Sequence, residues 1–208
     1  YVRAEEFVEV LRGMWSNTPF SHKGRYYDVE NTELLLKPAS KIEIFTASRS
    51  QRGLDMVARV ADWWFIDFDK TATTPREVAQ SIKRTITDMN ARAARFGRKV
   101  RYGFNPYVAF GASPEAARAN AERLLTEAVS GADASRARMS EYMGNAMKGG
   151  CIGTPAQVRE QLAVYRDLGV ELFLFKFVPR VEDIEEIREE VIVPMRGDPF
   201  PAAPMAAQ

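Results

Sequence analysis

Two chemically versatile residue types are almost missing from this sequence: 208 residues contain one cysteine, Cys151, and one histidine, His22. A lone cysteine excludes an intrachain disulfide and points to a reducing compartment, most simply the cytoplasm. A lone histidine in a polar stretch argues against a zinc site or a serine–histidine triad built within the chain. No apolar run approaches the roughly 18 residues that a membrane span needs. Opposite charges nearly cancel, 29 Lys and Arg against 28 Asp and Glu, so the basic excess of a nucleic-acid module is lacking. The opening YVRAEEFVEV is charged and amphipathic, unlike a signal peptide. It also lacks an initiator methionine and starts inside an apparent helix without a cap, which reads as a piece of a longer protein. What remains is ordinary: 46% hydrophobic and 27% charged residues, enough for one sizeable domain or two small ones.

Phe7, Val10, Leu11 and Met14 recur at helical spacing and predict a first helix ending near Trp15. The stretch HKGRYYDVENTELLLKP then reads as a short extended excursion. Beyond Pro38, extended segments at about 42–47, 62–68, 101–110 and 171–177 alternate with helical ones at about 50–61, 75–96, 114–129 and 155–168. Thr74-Pro75, Ser113-Pro114 and Thr154-Pro155 each set a capping hydroxyl before a proline at the first helical position. Glu77 and Gln157 complete two capping boxes, and Gly97 and Gly169 stand where helices should stop. Strand–helix alternation with apolar strands such as ELFLFKF means parallel βαβ units. That pattern fits both an open doubly wound sheet and half of a (β/α)8 barrel, with further units upstream in the second case. Residues 130–150 show no clear periodicity and read as a lid or a disordered segment. The 196–208 tail is Pro/Ala-rich.

Function in such folds gathers at the carboxyl ends of the strands. The rule selects four places. Thr46-Ala47-Ser48-Arg49-Ser50 runs from a strand into a helix, whose first-turn amides suit a phosphate, with Ser48, Ser50, Arg49 or Arg52 adding contacts. A plain serine cap fits the same letters. Asp67 and Asp69 follow Trp63-Trp64-Phe65 and can bind a ligand or cap a helix. Asn105-Pro106-Tyr107 interrupts a strand with a residue that cannot donate to the ladder, which predicts a bulge or edge. Lys176 sits in an apolar strand, where its charge needs a partner, a wet cavity or a route to the surface. Cys151 reads as a small half-buried thiol before a helix.

The ordered series RAEEFVEVLRGMW, FSHKGRYYDVENTELLLKP, IFTASRSQRGLDMVARVADWWF, FGRKVRYGFNPYVAF and GTPAQVREQLAVYRDLGVELFLF resembles the bacterial-luciferase-like flavin-dependent monooxygenases. The alkanesulfonate, dimethylsulfone and pyrimidine monooxygenase branch is the most similar. The resemblance runs from Tyr1 to about Met195 and implies a (β/α)8 TIM barrel. This chain would supply strands 5–8 and the insertion before strand 5, with 1–40 as helix and insertion and 41–195 as four βα units. It further implies reduced FMN from a separate NAD(P)H-dependent flavin reductase, and O2 as co-substrate. A C4a-(hydro)peroxyflavin would then oxygenate a small organosulfur or N-heterocyclic substrate. The turn that holds the FMN phosphate in the family, usually Gly-Gly-Ser-Ser, stands here as Thr46-Ala47-Ser48-Arg49, with Ser50 adjacent. Arg136, Arg138 and Lys148 fall in the lid and can face an anionic substrate. Asn105, Tyr107 and Lys176 are the candidates for the catalytic side. The Arg-x-His of the sulfonate enzymes is replaced by Asn105-Pro106-Tyr107, and their tyrosine after strand 8 by Val178, which turns the expectation toward a less charged substrate. A homo-oligomer is usual in the family. A deazaflavin F420-dependent oxidoreductase and a non-catalytic flavin-binding protein are the alternatives on the same fold.

Overall fold

The first helix is held by what its acids reach. In the computed structural model, which describes residues 1–16, 19–67, 69–128, 136–176 and 181–196, α1 spans Val2–Met14. Its Glu6 accepts the backbone N–H groups of Tyr26 and Tyr27 at 2.8 and 2.7 Å. That anchors the turn of an antiparallel hairpin, β1 (Phe20–Lys23) with β2 (Asp28–Thr32). His22 lies on β1, 3.4 Å from Glu6.

The remaining elements are β3 (Phe45–Thr46), α2 (Gln51–Val60), β4 (Trp63–Ile66), α3 (Pro75–Ala94), β5 (Arg101–Phe104), β6 (Ala109–Phe110), α4 (Pro114–Ala128), α5 (Arg136–Lys148), β7 (Ile152–Gly153), α6 (Pro155–Asp167), β8 (Val170–Phe173), α7 (Val181–Ile187), a π-helical turn (Arg188–Ile192) and α8 (Val193–Arg196). They fall into two units: Tyr1–Asp67 with Ile82–Phe104 and Gly169–Leu172, and the described residues of Phe68–Ser81, Asn105–Leu168 and Phe173–Gln208.

In the first unit, a sheet of order β3-β4-β5-β8 forms the centre. β3, β4 and β5 run parallel, with Phe45, Trp63 and Arg101 in register, followed by Thr46, Trp64 and Tyr102. Successive residues of a strand face opposite sides, so these triplets belong to different faces. On one side, Tyr102 donates to Asn90 of α3 at 2.6 Å, and burial, then the charge of Glu171, push its phenol up to about 12. On the other, Arg101 lies 3.9 Å over the Trp63 ring and donates to Glu171 at 2.9 Å and Glu43 at 3.3 Å. Glu43 also accepts the Trp63 indole N–H at 2.8 Å. One guanidinium thus ties residues of β4, β5, β8 and the segment leading into β3.

The second unit is built on β6 and β7, parallel through Ala109–Ile152 and Phe110–Gly153. Ala109, Ala121 and Leu124 form a core cluster against which Met143 and Ile152 pack. The expected caps are present. Thr154 and Gln157 make a complete capping box, Thr74 and Glu77 exchange the same pair of bonds, and Ser113 accepts from Ala116. Gly97 and Gly169 have φ of 63° and 107°, the left-handed region where a helix ends at low steric cost.

Two expectations change. The extended segment 101–110 is two strands, since Pro106 has no amide for the ladder and residues 105–108 leave it. The stretch 130–150 is not irregular throughout: 136–148 is helix α5. Met139, Tyr142, Met143 and Ala146 stand at i, i+3, i+4 and i+7, a helical period diluted by small and polar neighbours. Ala146 is buried and Met143 packs on the cluster above. Residues 130–135, Val178 and the tail from 197 lie outside the described residues, as do the side chains of Arg136 and Arg138. Among the described residues no helix is long and apolar enough to cross a membrane.

Candidate functional site

The turn between β3 and α2 brings four of the singled-out side chains to the carboxyl end of a parallel strand. Ser50 is the N-cap of α2, with extended backbone, and its Oγ accepts the Gly53 N–H at 3.1 Å. The same hydroxyl donates to the Tyr1 phenol at 2.7 Å. The capping alternative is therefore the role Ser50 takes. The hydroxyls of Ser50, and after it Ser48, lower the pKa of the exposed Tyr1 phenol. Ser48 rests against Gly53: a Cβ at Gly53 would come 1.8 Å from Ser48 Oγ. Only glycine at this third helical position leaves the hydroxyl its place beside the first-turn amides. Thr46 Oγ1 is buried and has no hydrogen-bond partner, an unusual state for a hydroxyl. Arg49 forms an ion pair with Asp67, which follows β4.

These groups offer a phosphate the amides of a ten-residue helix, the Ser48 hydroxyl and one guanidinium. The glycine cradle and the orphaned Thr46 hydroxyl fit an anionic group at this turn. Asp67 as the partner of Arg49 was not legible in the sequence. The pairing follows from the parallel register of β3 and β4, which the packed sheet sets. Asp69 does not cap α3, whose capping hydroxyl is Thr74; it accepts the Thr71 N–H and hydroxyl at 2.9 and 2.7 Å within its own turn.

In the second unit, the break after β5 gathers another group. Tyr107 and Lys176 form a parallel bridge, and the Lys176 N–H donates to the Pro106 carbonyl at 2.8 Å. β8 ends at Phe173, short of the expected 171–177 strand, and leaves Lys176 exposed on an isolated bridge. Its ammonium lies 4.8 Å from the Tyr107 ring centroid, a cation–π contact. Burial, and secondarily the Tyr142 phenol, raise the Tyr107 pKa, so the hydroxyl stays a donor at neutral pH. Asn105 Oδ1 is buried without a partner, an acceptor still lacking a donor. Lys148, foreseen as a lid charge, donates to the Lys70 carbonyl at 3.2 Å.

Cys151 is wholly buried, donates to the Gly149 carbonyl at 3.6 Å, and has its pKa pushed up by burial to about 12. Such a thiol is a poor nucleophile. Iodoacetamide at about pH 8 is expected to leave it unmodified in the native protein and to alkylate it in urea, read by intact mass. Rapid native alkylation would contradict the buried placement.

Parallel βα units with a polar turn at the end of β3 define a part of the luciferase-like TIM-barrel fold. The chain belongs to the luciferase-like monooxygenase family, whose profile matches residues 1–172. The FMNH2-dependent dimethylsulfone monooxygenase of Pseudomonas putida is 30% identical over 216 residues, which is 92% of this chain and 57% of that protein. A pyrimidine monooxygenase RutA of Methylorubrum extorquens is 30% identical over 64% of this chain and 34% of its own length. Among solved structures, DmoA from Hyphomicrobium sulfonivorans superposes with a TM-score of 0.69 at 17% identity, covering 95% of this chain and 55% of that one. An F420-dependent secondary alcohol dehydrogenase gives 0.63 at 18% identity, covering 92% and 60%. The chain spans 57% of the length of the dimethylsulfone monooxygenases it matches.

Proposed function

We propose that the whole protein is a two-component monooxygenase that takes reduced FMN from a separate NAD(P)H-dependent reductase and uses O2 to oxygenate a small organosulfur or N-heterocyclic substrate. The observation that carries this reading is the turn Thr46–Ser50 at the head of α2. The first-turn amides of α2, Ser48 Oγ and Arg49 would hold the flavin phosphate, while Ser50 keeps the helix start in place. Bound reduced FMN would supply the reaction with O2; this chain's part is to orient the ring and shield it from water.

Asn105, Tyr107 and Lys176 are the side chains we assign to the substrate. They include one unsatisfied acceptor, one persistent phenol donor and one cation already engaged by an aromatic face. No guanidinium is among them, which favours a neutral sulfone or heterocycle over a sulfonate. The assignment of the substrate class also draws on the relatives that act on a sulfone and on pyrimidines.

The test is turnover of the complete protein with a flavin reductase, NADH and candidate sulfones and pyrimidines, with and without O2. Product carrying oxygen from 18O2 is the expected result. Turnover that persists anaerobically with reduced F420 would replace this reading by hydride transfer on the same barrel.

A further inference from the structure

We propose that Asp67 is a built-in competitor for the flavin phosphate: it engages Arg49 when no phosphate does, and yields it when one arrives. The inference rests on the phosphate reading of the Thr46–Ser50 turn and goes beyond it to how that site sets its affinity.

Arg49 immediately precedes the N-cap of α2. A cation there faces the positive end of the helix dipole, so the position is unfavourable for arginine unless an anion is close. The structure supplies that anion from a different strand. β3 and β4 pair in parallel with Thr46 opposite Trp64. Counting on from that register, residue 49 leaves β3 at the end where residue 67 leaves β4, and the two side chains form an ion pair. Both are accessible, Arg49 at 70% and Asp67 at 39% relative exposure. An exposed pair of this kind is weak and exchanges partners at low cost. The planar guanidinium can donate two parallel N–H bonds to a carboxylate or to a phosphate alike.

A phosphate monoester near neutral pH carries between one and two negative charges and offers more acceptor oxygens than a carboxylate. At the head of α2 it would take Arg49 from Asp67 and meet the freed carboxylate as a like charge. The other groups of the turn cannot replace that cation, since Ser50 is committed to the cap and Ser48, close beside Gly53, offers only a neutral hydroxyl. Asp67 therefore subtracts from phosphate affinity twice, by withholding the cation and by repulsion. For a protein that must receive a reduced flavin and release it oxidised in every cycle, an affinity held down in this way favours exchange over retention.

Dissociation constants of the complete protein for FMN and for riboflavin, which has the same ring and no phosphate, test this directly by fluorescence titration. The wild type is expected to prefer FMN. Asp67→Asn is expected to tighten FMN by about five- to tenfold and leave riboflavin within about twofold. In an Arg49→Ala background the gain from Asp67→Asn should shrink, because no guanidinium is left to withhold. Asp67→Ser serves as a second variant if the asparagine protein does not fold. Equal FMN and riboflavin affinities in the wild type would overturn the phosphate reading itself. A wild type that prefers FMN, with Asp67 variants that bind it no tighter or that tighten riboflavin equally, would leave the site standing and overturn the competitor.

Discussion

Replacing Ser48 and Arg49 together by alanine is expected to raise the dissociation constant for reduced FMN by about a hundredfold. The magnitude follows from what each group offers. A serine hydroxyl donating to an anionic oxygen contributes about 1.5–2 kcal/mol. The exposed Arg49 guanidinium adds about 1 kcal/mol, kept low because solvent screens it and Asp67 competes for it. Their sum of about 2.5–3 kcal/mol corresponds to about two orders of magnitude in affinity. The amides of α2 remain, so binding should weaken without vanishing. Riboflavin affinity should hardly change, which separates a phosphate defect from a damaged flavin pocket. Anaerobic titration of photoreduced flavin gives both constants, and circular dichroism checks the fold. Unchanged FMN affinity in a folded double variant would show that the phosphate lies elsewhere.

Asp62→Ala is expected to cost about 3 kcal/mol of stability without touching the proposed flavin turn. The carboxylate is only 11% exposed and accepts the Ile44 N–H at 3.0 Å, Arg12 at 3.0 Å and Lys41 at 3.1 Å. Alanine leaves the Ile44 amide and the Arg12 guanidinium without that acceptor at the point where the chain enters β3. Burial alone would raise the Asp62 pKa, but the Ile44 amide, Lys41 and Arg12 outweigh it and hold the carboxyl below its ordinary value. A lowered folded-state pKa means that the unfolded chain binds the proton more readily. The stabilisation is therefore complete above the unfolded carboxylate range and is lost as pH falls through the depressed folded value. Urea unfolding across the acid range should show the gap between wild type and variant closing as pH drops. Two curves falling in parallel would remove Asp62 from the account of acid sensitivity.

Much of the architecture could be read from neighbouring letters because its causes are local. Thr74, Ser113 and Thr154 each cap a helix through the amide three residues on. Gly97 and Gly169 end helices by their own φ. Pro106 breaks a strand because it carries no N–H. The helical period of α5 was also local, but Met139, Tyr142, Met143 and Ala146 sit among serine, arginine and asparagine. The apolar stripe becomes evident only once Met143 meets the Ala109–Leu124 cluster.

The site divides in the same way. The serine-rich turn at a strand end was visible, and so was the choice between cap and phosphate ligand for Ser50. The tertiary structure assigned Ser50 to the cap, set Ser48 against Gly53, and gave Arg49 and Lys176 their partners, Asp67 and the Tyr107 ring. Nothing in the letters couples residue 49 to 67 or 101 to 43 and 171. Those pairs depend on which strands lie side by side and in what register, a property of the packed sheet. The sequence by itself determined where helices start and strands break, since hydrogen bonds and sterics act within a few residues. Only the fold decided which charges meet, because Coulomb and hydrogen-bond partners are chosen by distance in space.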